Sequence, residues 1–158
     1  MPGSDGVLRG MTAGLVAAGV MSAVRLIAHR AGLIDRMVPQ VLQERAAGAA
    51  GIDVPSSAHQ LAAEALHHGV SLAAGGALGA LTTRPSVTVG VAYGVAIWVV
   101  NALALLPALR VQRVGGGGVD AVAHGIFGAA LALAMRELAS QPRLTPKPAA
   151  APLRAHVG

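Results

Sequence analysis

Residues 86–109 read SVTVGVAYGVAIWVVNALALLPAL, and no charged side chain lies between Arg84 and Arg110. A helix rises 1.5 Å per residue, so crossing roughly 30 Å of hydrocarbon takes about 20 apolar residues. The stretch predicts a transmembrane helix, and its neighbours are read from it. Upstream, 61–83 is uncharged between Glu64 and Arg84. The loop TTRPS at 82–86 is short enough to make these two segments antiparallel neighbours. Downstream, about 119–139 is uncharged from Ala121 to Met135. At the start, about 7–29 is uncharged only between Arg9 and Arg25; Arg25 snorkelling toward the interface lets that helix run to His29. A signal peptide is the rival reading of this first segment, but the leader carries Asp5 and no small-x-small cleavage site follows the apolar run. The expected fold is all-α and polytopic, with four transmembrane helices as two hairpins in one domain over 1–139.

The composition points the same way. The 158 residues are 54% hydrophobic and 12% charged, and the mean hydropathy is +0.61. A soluble chain carries about 25% charged residues, so the missing charge indicates a bilayer partner rather than a larger core. Cysteine is absent, which excludes disulfides and thiolate sites and leaves the redox compartment open. The net charge of +5 does not indicate nucleic acid, because the basic residues sit in short loops and a tail, as membrane insertion produces.

The connections have their own signals. In RMVPQVLQERAAGAAG (36–51), Met37, Val38, Val41 and Leu42 gather on one side, with Gln43, Glu44 and Arg45 elsewhere. After Pro39 this predicts a short amphipathic helix lying in the interface. DVPSS at 53–57 offers Ser56 or Ser57 as an N-cap for the second span. RVQRVGGGG at 110–118 reads as a flexible connection; its glycines lack the Lys-Ser/Thr of a phosphate loop. Pro107 marks helix termination. The tail at 140–158 is Pro/Ala-rich and expected to be disordered. Basic residues tie at six on each side of a four-span topology; with Arg25 inside a span, the termini are expected in the cytoplasm.

Small residues recur at helical spacing. Gly10 and Gly14, and Gly90 and Gly94, form GxxxG pairs, while Gly75, Gly79 and Gly128 fall on matching faces of the other two spans. Such faces allow close helix approach and predict helix packing, including self-association into a homo-oligomer. The second and fourth spans both open with acid-x-x-x-His-Gly, at Glu64/His68/Gly69 and Asp120/His124/Gly125, which suggests a parallel internal repeat.

The Gly-spaced first span, the VP step before a short helix at 38–47, His-Gly ahead of a Gly/Ala run at 68–79, GVAYGVAIWVVNALALLPAL at 90–109 and HGIFG at 124–128 together resemble the YagU-like proteins, small uncharacterised bacterial inner-membrane proteins. The resemblance implies a four-helix protein of the inner membrane with no established enzymatic role. The chain has VPQ where that pattern has a double proline.

The polar groups inside the spans are the candidate site: Glu64, His67, His68, Asp120, His124, Arg25 and Asn101. Helix direction puts all of them toward the side of the two long connections, so EALHHG (64–69) and DAVAHG (120–125) are expected to form two halves of one recess. Several readings stand. The acids favour helix N-termini by about 0.3–1 kcal/mol, with Arg25 pairing Glu64 or Asp120. The His/acid cluster is alternatively a proton-responsive site. His68, His124, Glu64 and Asp120 are candidate ligands for a divalent metal, and Glu64-x-x-His67 has the spacing of di-iron bundles. Haem is disfavoured by closely packed glycine faces, and no cofactor is expected. The expected function is a non-enzymatic membrane module, with a proton- or metal-responsive protein and a small transporter subunit as alternatives. The lipid bilayer is the expected partner.

Overall fold

The computed structural model describes residues 3–34, 38–108 and 117–141. Among the described residues the chain is all-helical. Its elements are α1 (Ser4–Arg30), α2 (Val38–Ala49), a 3₁₀ turn (Ser56–Ala58), α3 (His59–Leu81), α4 (Val87–Val100), a π-helical turn (Asn101–Leu105), α5 (Leu106–Ala108) and α6 (Gly117–Ser140). Three helices are long and apolar enough to cross a membrane: Ser4–Arg30, the continuous rod Val87–Ala108, and Gly117–Ser140. α3 is not among them, because Glu64, His67 and His68 in its first turns lower its mean hydropathy.

Glycine decides how the helices pair. α1 lies antiparallel on α3, and a Cβ added to Gly10 or Gly14 would collide with the carbonyl oxygen of Gly75 or Ser71. α4 lies on α6 in the same way, Gly90 against the Gly128 carbonyl and Gly94 against that of His124. Backbones this close exchange Cα–H···O contacts and bury peptide against peptide. The glycine faces expected to mediate self-association are therefore filled within one chain. Gly6, against Gly79, extends the first seam beyond the predicted set. Between the two pairs, α1 packs on α6 around Ala13, Ala17, Met21, Ala123, Phe127, Leu131 and Met135.

Several local expectations change. The 82–86 loop is tight, with Ser86 capping α4 by accepting a 3.2 Å hydrogen bond from the Val89 N–H, yet α3 and α4 form no packed seam. They are joined by the Tyr93 hydroxyl, which donates to the Ala74 carbonyl at 2.8 Å. α3 is entered not through a serine cap but through the 3₁₀ turn, with His59 Nε2 2.6 Å from the Val54 carbonyl oxygen. α2 packs against α3 and buries Gln43, so it is docked on the protein. The side chains of Met37, Val38, Val41 and Leu42 lie outside the described residues, as do most of the 110–118 connection and the tail from 142; Gly117 and Gly118 already belong to α6.

Pro107 stands one residue before the end of the described part of the third long helix, and it reshapes the turn ahead of it. Proline has no N–H for the carbonyl four residues back, and its ring crowds that carbonyl. The helix widens ahead of it into the π-helical turn, where the Leu106 N–H donates to the Asn101 carbonyl. A π turn inserts a residue into the helical face. Around it Ala102 is buried and Asn101 and Leu106 are half-buried, while Leu103, Ala104, Leu105 and Ala108 are exposed.

Candidate functional site

The unpacked seam between α3 and α4 is a cavity of about 300 Å³. Its walls are Leu66, His67, Val70, Ser71 and Ala74 of α3, and Ile97 and Trp98 with Asn101, Ala102, Leu105 and Leu106 of the π-turn rod. Its floor is Met21 and Arg25 of α1 with Asp120, His124 and Phe127 of α6. The Tyr93–Ala74 bond ties the two walls together. At the opposite rim Leu66, Val70 and Leu105 remain 40%, 55% and 40% exposed, so the mouth faces outward between the two helices.

The polar groups cluster at the end away from the 82–86 loop. Arg25 and Asp120 form an ion pair, Nη2 to Oδ1 2.6 Å, with side chains only 8% and 20% exposed. The sequence left Glu64 and Asp120 both open to Arg25, and the structure pairs it with Asp120. Glu64 instead accepts from the Ser22 hydroxyl at 3.2 Å. His124 Nδ1 lies 2.8 Å from the Asp120 carbonyl oxygen, and its Nε2 is 3.4 Å from the Asn101 amide nitrogen. One tautomer serves both contacts: Nδ1–H donates along its own helix, and Nε2 faces Asn101 as acceptor. His68 uses the same clip, Nδ1 2.9 Å from the Glu64 carbonyl oxygen. The acid-x-x-x-His spacing thus folds each imidazole back over its own turn.

The two halves do not enter the site equivalently. Gly10 and Gly14 stand to Gly75 and Ser71 as Gly90 and Gly94 stand to Gly128 and His124. In this register Ser71 corresponds to His124, and His67 to Asp120. The acid-x-x-x-His-Gly alignment read from the sequence is displaced by one helical turn. The displacement explains why Asp120 and His124 are inside while Glu64 and His68, 38% and 37% exposed, lie beyond the cavity. It also separates the proposed metal ligands: among the described residues no group of three or more His, Asp or Glu is placed to hold a metal ion. Of the candidate residues, Arg25, His67, Asn101, Asp120 and His124 line the cavity.

His67 is the open end of the network. Its Nε2 is sealed off without a close hydrogen-bond partner, its ring lies by the Ala18 backbone of α1, and it meets His68 edge-on at 5.6 Å. Sequence reasoning missed Trp98 and Phe127 as lining residues, and Tyr93 as the bridge. A lone tyrosine in an otherwise apolar span was a usable signal, since a buried phenol seeks an acceptor.

Fold and site together define a helical membrane protein with an internal cleft. No family model matches the chain, and neither a curated protein nor a solved structure does.

Proposed function

We propose that the chain is a non-enzymatic, four-span membrane protein whose working part is the α3/α4 cleft, a binding site for a small membrane-resident molecule. The observation that carries this reading is the cavity itself, where polar side chains from all the long helices meet an otherwise apolar lining. The two hairpins are α1 with α3, and the Val87–Ala108 rod with α6. α3 is taken as the fourth span because its 23 residues rise about 34 Å and lie along α1 from Gly79 to Ser71. The cleft then opens sideways to lipid, which favours a ligand reached from the bilayer over a water-filled transport path. The YagU-like resemblance of the sequence is what favours a bacterial inner membrane. Burial of Arg25 removes it from the loop charges and tips the basic residues toward the N-terminal side, which favours a cytoplasmic side for both termini and the 82–86 loop. A second copy, if bound, would meet lipid-facing sides rather than the glycine seams.

The topology has a clean test, because the chain has no cysteine. Ser4→Cys and Thr83→Cys are expected to react with an impermeant maleimide from one side of the membrane, and Ile52→Cys from the other. Thr83→Cys and Ile52→Cys labelling from the same side would show that α3 does not cross. For the cleft, native mass spectrometry of protein released from nanodiscs should show a retained small-molecule adduct that Ala74→Phe, which fills the back wall, removes. Wild-type protein without an adduct would refute the binding reading.

A further inference from the structure

The glycine register shows why the cleft exists. Two glycine-packed pairs meet along α1 and α6, and the corresponding second seam would join α3 to α4. The first seam is closed by the Arg25–Asp120 pair. In the second, the corresponding positions are Leu105 and His67, which carry no complementary charge. One seam is latched, and its counterpart stands open.

The chemistry of the lining selects the occupant. Among the described residues Arg25 and Asp120 are the only fully charged ones in the lining, and they neutralise each other at 2.6 Å. A charged head group would enter without a counter-charge, or would compete for one member of the pair and strand the other in a low-dielectric site, at a cost of several kcal/mol. An uncharged head meets no such penalty. The His67 ring lines the cleft, the Asn101 amide is held only by a 3.4 Å contact, and Ser71 adds a hydroxyl to the lining. Together these can donate to a carbonyl oxygen, or donate to and accept from a hydroxyl. Away from that end the lining is Leu66, Val70, Ile97, Trp98, Leu105 and Leu106, a path for an aliphatic tail toward the open mouth.

We propose that the cleft binds an uncharged amphiphile, with a hydroxyl or carbonyl head seated among His67, Ser71 and Asn101 and an aliphatic tail leaving between α3 and α4. This rests on the binding reading above and names the ligand class of that site.

Trp98 is the one tryptophan of the chain and lines the cleft, so bromine, which quenches indole on contact, reports occupancy directly. The probes are ω-bromohexanol, ω-bromohexanoate with its carboxyl ionised, and ω-bromohexyltrimethylammonium, each titrated into the full chain in a non-ionic detergent. The alcohol is expected to quench Trp98 saturably. Both ions should bind at least about tenfold more weakly, a difference that corresponds to about 1.4 kcal/mol. His67→Phe and Asn101→Leu should each weaken the alcohol several-fold without changing its non-saturable partition quenching. An ionic probe that binds as tightly as the alcohol overturns the head-group assignment while leaving the cleft as a binding site. Absence of saturable quenching by all three probes overturns the binding reading as well. The comparison among probes is made on wild-type protein, so it does not depend on any variant folding.

Discussion

Gly75→Leu is expected to prevent the chain from folding, whereas Gly69→Leu, six residues away on the same helix, is expected to be tolerated. The difference lies in what a side chain would meet. At Gly75 a Cβ runs into the backbone of Gly10 and Gly14, while at Gly69 nothing lies within 4 Å. A clash with a flexible side chain relaxes at a cost of about 1–3 kcal/mol, but a clash with a carbonyl oxygen relaxes only if the helices move apart. Helices with ordinary side chains pack at interaxial distances of about 8–10 Å. Moving α1 and α3 out to that spacing breaks the Gly6–Gly79 and Gly14–Ser71 contacts together with Gly10–Gly75. α3 holds one wall of the cleft, so the cavity is lost with the seam. Gly19→Leu on α1, also open, is the matching control. Membrane abundance and monodispersity in detergent are the readouts. Equal behaviour of Gly75→Leu and Gly69→Leu would mean that the glycine seam does not hold the pair together.

The helices were legible in the sequence because their signals are local. An uncharged run between Arg84 and Arg110 and glycines four apart are properties of one segment. Helix pairing was legible only in part. The short 82–86 loop argued for a packed α3–α4 seam, but loop length fixes where two helix ends lie and not whether their faces fit. Gly75 and Gly79 turn toward α1, which leaves α3 without a small-residue face for α4. The site was harder. Arg25, His67, Asn101, Asp120 and His124 were singled out, yet their grouping depends on register between helices. The repeated acid-x-x-x-His-Gly implied one register, and the glycine contacts set another, one turn away. Asp120 therefore went inside and Glu64 did not, although the two sit in similar local sequence. The π turn was illegible for a related reason: Pro107 announces a disturbance, but whether a helix stops or widens depends on what packs beside it.

Asp120→Asn should be among the most damaging single substitutions outside the glycine seams, and more damaging than Arg25→Met. Removing one member of a buried ion pair leaves the other uncompensated, typically at about 3–5 kcal/mol. The stranded group differs between the two variants. In Asp120→Asn it is a guanidinium 8% exposed, whereas in Arg25→Met it is a carboxylate 20% exposed and nearer to water. Glu64 is not placed to substitute, since it is engaged by Ser22. The pair as a whole contributes less than its parts suggest, because two charges withdrawn from water gain little net stability. The double variant Arg25→Met with Asp120→Asn is therefore expected to recover most of the loss, giving a large coupling energy in a double-mutant cycle. Denaturation in mixed detergent, with retention of the alcohol probe as a second readout, measures both. If the double variant were instead as unstable as the sum of the single ones, the ion pair would not be the latch of the α1–α6 seam. The contrast between a latched seam and an open one would then need another cause, such as the packing of Met21, Phe127 and Leu131 beside it.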